Sequence, residues 1–137
     1  MCSRRARRRA SKPERPRRDV VVVPADGGPA LLDENRLREM RAEVGADGYA
    51  EVLAAFAGEI RARMSVPEGG LEALARWAHQ LAGSAATVGA ASLTSRARAL
   101  ERAVDAADAA TARALAQEIP PLAAATLRAV DALLPAE

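Results

Sequence analysis

From Leu31 onward the chain repeats apolar residues at intervals of three and four, the pattern of helices with one buried face. The cleanest stripe is Leu71, Leu74, Ala78, Leu81, Ala85 and Val88, with Gly89 placed as its C-terminal cap. A second stripe, Leu93, Ala97, Leu100 and Val104, begins almost at once, and so short a connection predicts two antiparallel neighbours. Upstream, Tyr49, Val52, Leu53, Phe56, Ile60 and Met64 predict another helix, ended by Pro67 and Gly69-Gly70. A shorter helix precedes it, capped by Asp33 and carrying Leu37, Met40 and Val44 on one side, with Gly45 and Gly48 bracketing the turn between the two. The last stretch, about residues 108–134, carries Leu115, Ile119, Leu122, Val130 and Leu133. Pro120-Pro121 fall inside it and predict a kink or a break, because proline removes a backbone donor and crowds the preceding turn. Four substantial helices, each with one apolar stripe, predict an all-α fold. It is an up-and-down antiparallel four-helix bundle with a short additional N-terminal helix across one end.

The first thirty residues read differently. Residues 1–19 hold nine Lys or Arg against Glu14 and Asp19 and show no periodicity. The four valines at 20–23 form a β-branched run with no partner strand, and residues 24–29, with Gly27-Gly28, read as a linker. Residues 1–30 are therefore expected to be a disordered basic tail and linker, and 31–137 the helical bundle. The overall charge of +2 describes neither part, since beyond residue 19 the chain holds 11 Arg against 16 Asp or Glu, a net of −5.

Composition narrows the function classes. Half of the 137 residues are apolar, mostly Ala and Leu, which favours closely packed helices. No run reaches the 18 or so apolar residues of a membrane span, and no apolar stretch of a secretory signal follows the basic residues. Cys2 is the only cysteine and His79 the only histidine, which excludes a disulfide framework and a Cys or His metal cluster. A lone cysteine fits a reducing cytoplasm. There is no phosphate-binding glycine loop and no room for an ATP-binding domain, so the chain is not a kinase.

His79 carries the candidate chemistry. With about 100° per residue, the apolar stripe of its helix centres roughly 140° away from it. On its own face lie Glu72, Ala75, Arg76, Ala82, Gly83 and Ala86, which are small or charged. Trp77 lies on the flank of the stripe, where packing accounts for it. Gly83 sits about 40° round the helix from His79, and a mid-helix glycine costs about 1 kcal/mol relative to alanine. Close helix packing is one reason for such a glycine; clearance for the backbone of another molecule beside the imidazole is the other. Ser84 can bond back within the helix or hold the approaching group. Imidazole, with an ordinary pKa of about 6.5, is largely neutral at pH 7 and can attack through a ring nitrogen.

Ala78-His79-Gln80-Leu81-Ala82-Gly83-Ser84-Ala85, then Gly89-Ala90, Leu93 and Leu100-Glu101, resembles the signature of histidine-containing phosphotransfer (HPt) domains. The family pattern is Ala-His-x-Leu-Lys-Gly-Ser-Ala, followed by Gly-Ala, a Leu and a later Leu-Glu, and the likeness in helix order extends over about 31–134. The resemblance implies a phosphoryl carrier in a multistep phosphorelay rather than a self-contained enzyme. His79 would accept a phosphoryl group from a receiver-domain aspartyl phosphate and pass it to another receiver. Arg76, Gln80, Ala82, Gly83 and Ser84 are the expected contacts to phosphate or receiver, with Gly83 as the clearance residue. Ala82 departs from the pattern, which has Lys there to present a cation to the phosphoryl oxygens. Arg76, or Arg96 or Arg98 on the next helix, is expected to compensate in part.

The implied partners are response-regulator receiver domains and a hybrid sensor kinase. No cofactor is expected on this chain, and Mg²⁺ would come with the receiver, whose chemistry calls for it. Two other readings stand beside transfer. One is a degenerate HPt-like adaptor that docks without transferring; the other is a polyanion-binding protein acting through its arginine tail. The tail has no interleaved aromatics for stacking on bases, so nucleic acid is not the expected partner. A solubilising extension, or an arm that steers an acidic partner, accounts for its charge as well. No second exposed apolar stripe is long enough for self-association, so a monomer with no membrane contact is expected.

Overall fold

The computed structural model describes residues 30–134. The basic segment, the valine run at 20–23 and the proline-glycine linker lie outside the described residues.

Four helices fill the described chain: α1 (Glu34–Arg61), α2 (Leu71–Thr87), α3 (Ala91–Asp105) and α4 (Ala109–Leu133), with no strand among the described residues. Asp33 caps α1, its carboxylate accepting from the backbone N–H of Asn35 and Arg36 at 3.0 and 3.2 Å. The two helices predicted before Pro67 are two arms of α1, parted by a kink at Gly45, whose φ of 79° and ψ of 172° are non-helical. The short N-terminal arm therefore exists but runs into the next without a loop. Val44, expected on its core side, is 45% exposed instead. The kink turns it over Gly48, where an added Cβ would stand 2.9 Å from the Val44 Cβ. Met64 lies past the end of α1 and only packs against the core from the loop.

Of the kink or break that Pro120 and Pro121 suggest, the break is absent: α4 runs through both prolines as one helix. The prolines cost two ladder donors. Ile119, Ala123 and Val130 are nonetheless fully buried on either side, and this shared face holds the helix together across them. Thr126, also fully buried, satisfies its hydroxyl by donating to the Leu122 carbonyl at 2.8 Å. Asp108 caps the start of α4, and the bonds from Thr111 hold its carboxyl below the usual carboxylate range.

The core is one cluster shared by all four helices, with Leu53, Ile60, Leu81, Leu93, Leu100, Ile119 and Val130 sealed from solvent. Each such burial is worth roughly 2 kcal/mol. α3 packs chiefly on α2 and α4. The α2–α3 turn is locked onto the start of α1: Asp33 N–H donates to the Gly89 carbonyl at 2.7 Å and Arg36 Nε to the Thr87 carbonyl at 3.3 Å. These bonds fix where the α2–α3 hairpin begins, and so the register along which His79 meets its neighbours. No helix among the described residues is long and apolar enough to cross a membrane.

Candidate functional site

The apolar stripe of α2 places Leu74, Ala78, Leu81 and Ala85 in the core and leaves His79 on the opposite side. The imidazole is 80% exposed. Its Nδ1 lies 3.0 Å from Oε2 of Glu101, a half-buried residue of α3. A carboxylate only accepts, so Nδ1 carries a proton and donates, and in the neutral ring the lone pair is the one on Nε2.

Gly83 lies one turn further along, and a Cβ built on it meets no atom within 4 Å. Close packing inside the bundle therefore does not require this glycine. The bare strip continues into an open groove of about 370 Å³ between α1 and α2, where Val52, Phe56 and Val88 supply apolar wall and Glu59 and Ser84 the polar edge.

The other expected contacts fall into three groups. Arg76 is exposed one turn before His79, and no ion pair or hydrogen bond ties it down among the described residues. Gln80 and Ser84 face α1 and the residues just past its end, and are already engaged. Arg63 Nε donates to Gln80 Oε1 at 3.3 Å, and Ser84 Oγ donates to Glu59 Oε1 at 2.6 Å. Ala82 is not presented on the surface: it is 4% exposed. Its small side chain lets α3 approach closely enough to cover it, so it belongs to the α2–α3 seam and not to the face that holds His79 and Gly83. Arg96 is also displaced from its expected place, since it pairs with Glu118 of α4, away from α2.

Glu101 is the residue that helical periodicity alone did not single out. Its signal was the hairpin itself: Glu101 lies twelve residues after the Gly89 turn and His79 ten before it, which sets them side by side across an antiparallel pair. Glu59 and Arg63 carry no comparable mark, because their bonds to Ser84 and Gln80 depend on how α1 is rotated. Among the described residues, no group of three or more His, Cys, Asp or Glu could hold a metal ion.

An exposed histidine with one nitrogen anchored, a bare strip beside it and a four-helix scaffold is a specific combination. The family model described as Hpt domain matches residues 34–134, nearly the whole bundle. The chain belongs to the Hpt domain family. No match was found among curated proteins or among solved structures. Hpt domains are histidine phosphotransfer modules that work with receiver domains in phosphorelays, and this Hpt domain carries its single histidine on α2 with an acidic partner from α3.

Proposed function

We propose that His79 is the phosphoacceptor and that the phosphoryl group enters and leaves through Nε2. The observation that carries this reading is the 3.0 Å contact of Nδ1 with Glu101 on an imidazole whose Nε2 edge faces solvent. The Nε2 lone pair attacks phosphorus of a receiver's aspartyl phosphate, the bond from phosphorus to the acyl oxygen breaks, and the aspartate leaves as carboxylate with that electron pair. The proton stays on Nδ1. The ring gains positive charge as the new N–P bond forms, and the Glu101 carboxylate stabilises it through the bond it already accepts. The reverse sequence hands the group to a second receiver. The chain supplies position and charge, which is most of what phosphoryl transfer asks of an acceptor.

Gly83 and the groove between α1 and α2 leave room for the receiver's backbone, with Ser84 fixed at its edge and Gln80 held beside His79 by Arg63. Arg76 flanks the imidazole from the α2 side. The Mg²⁺ that the reaction needs belongs to the receiver. On this reading the chain is a carrier that acts as a monomer in the cytoplasm, fed by a hybrid sensor kinase through its receivers. The arginine segment 4–18 is an accessory to it.

The test is single-turnover transfer from a phosphorylated cognate receiver. The wild-type chain takes up an acid-labile, base-stable phosphate and His79→Gln takes up none. A wild-type chain that binds the receiver and stays unlabelled would instead be an adaptor.

A further inference from the structure

A phosphoryl group on Nε2 of His79 is a dianion placed at the surface close to the carboxylate of Glu101. Such a group is held best when a cation with donors to its oxygens lies within a side chain's reach. Resting on the reading of His79 as phosphoacceptor, we infer that Arg98 of α3 is that cation, reaching the phosphoryl oxygens from across the α2–α3 seam.

The register of the seam supports this assignment. α2 and α3 are joined by the tight turn at Gly89 and run antiparallel, and His79 meets Glu101. Three residues forward on α2 is Ala82, and three back on α3 is Arg98, so the two stand opposite each other about 4.5 Å along the seam from the imidazole. Ala82 is buried in the seam and ends at its methyl group, so α2 itself presents no cation at this level. Arg98 is exposed. It sits one turn from Glu101 on the α2 edge of its helix, and among the described residues no hydrogen bond or ion pair holds its guanidinium elsewhere. Two other cations of the bundle are committed elsewhere: Arg96 to Glu118 of α4, and Arg63, on the α1 side of α2, to Gln80 and the Glu59 carbonyl. A guanidinium on its long flexible stem spans a gap of this size and offers paired donors to phosphate oxygens. Arg76 is the competing cation, but it stands on the α1 side of His79, away from the seam into which the imidazole leans.

The decisive experiment compares the lifetime of the phosphohistidine and the rate of onward transfer in wild type, Arg98→Gln, Arg98→Lys and Arg76→Gln, all as full chains loaded from a phosphorylated receiver. Arg98→Gln is expected to shorten the lifetime or slow transfer on the order of tenfold, the scale of one charge-assisted hydrogen bond. Arg76→Gln should show the smaller loss of the two. Arg98→Lys keeps a cation at the same helix position and should retain most of the lifetime and rate, whereas a loss of packing or helix propensity would not distinguish it from Arg98→Gln. Arg98→Gln behaving as wild type, or Arg76→Gln showing the larger loss, overturns the assignment, as does Arg98→Lys losing as much as Arg98→Gln. An unlabelled wild-type chain would overturn the phosphoacceptor reading instead, and labelled wild type with unchanged Arg98→Gln overturns only this one.

Discussion

Gly83 and Gly89 lie six residues apart in the same hairpin and are there for opposite reasons. At Gly89 the backbone has a φ of 73°, and an added Cβ would stand 2.8 Å from both Cβ and Cγ of Arg36 and 3.2 Å from the Asp33 Cβ. The turn and the start of α1 both demand glycine. At Gly83 the backbone is ordinary helix and the space is empty. Nothing within the described chain demands glycine there, and alanine would suit the helix better. A residue that the fold requires is explained by its neighbours. One that the fold merely tolerates, next to an exposed nucleophile, is explained by what comes to cover it.

Substitution separates the two cases. The largest stability effect belongs to Gly89→Ala, which forces a left-handed backbone onto a β-carbon and pushes it against the Arg36 stem; about 2–3 kcal/mol of stability should be lost in denaturant unfolding. Phosphotransfer per folded molecule should survive it. Gly83→Leu should do the reverse, lowering the transfer rate on the order of tenfold or more, with unfolding and helicity by circular dichroism unchanged. Normal transfer in that variant would show that no partner covers the strip. Glu101→Gln keeps the shape but removes the carboxylate behind the ring, and transfer should fall about tenfold while receiver binding holds, one lost charge-assisted bond being of that size. The smallest effect is Gly83→Ala: a stability gain of about 1 kcal/mol, accompanied by slower transfer. Such a gain at the expense of activity separates a glycine kept for a partner from one kept for the fold.

Much of this was legible in the sequence. The α2 stripe placed His79 away from the core, and the short connection at Gly89 paired α2 with α3, because both follow from local periodicity and turn chemistry. Asp33 announced its own cap. What the sequence hid came from tertiary contacts. Pro120 and Pro121 signal a kink or a break, yet the helix continues, because the buried residues around them outweigh two missing ladder bonds. Ala82 counts as a neighbour of His79 on a helical wheel, but a methyl group lets α3 close over it. Arg96 and Arg98 are equivalent on paper until the rotation of α3 commits one of them to Glu118. The bonds of Ser84 to α1 and of Gln80 to Arg63 just past it could not be read, because the relative rotation of two helices is not written in either one.

The chemistry rests on one nitrogen. A long-range ¹H–¹⁵N correlation spectrum of the His79 imidazole reads that nitrogen without intermediary, in the ¹⁵N-labelled full chain before and after loading from a phosphorylated receiver. The proton is expected on Nδ1 in both states, and the phosphoryl group on Nε2. A phosphoryl group on Nδ1, or an imidazole left unchanged while the label settles on another residue, would refute the assignment.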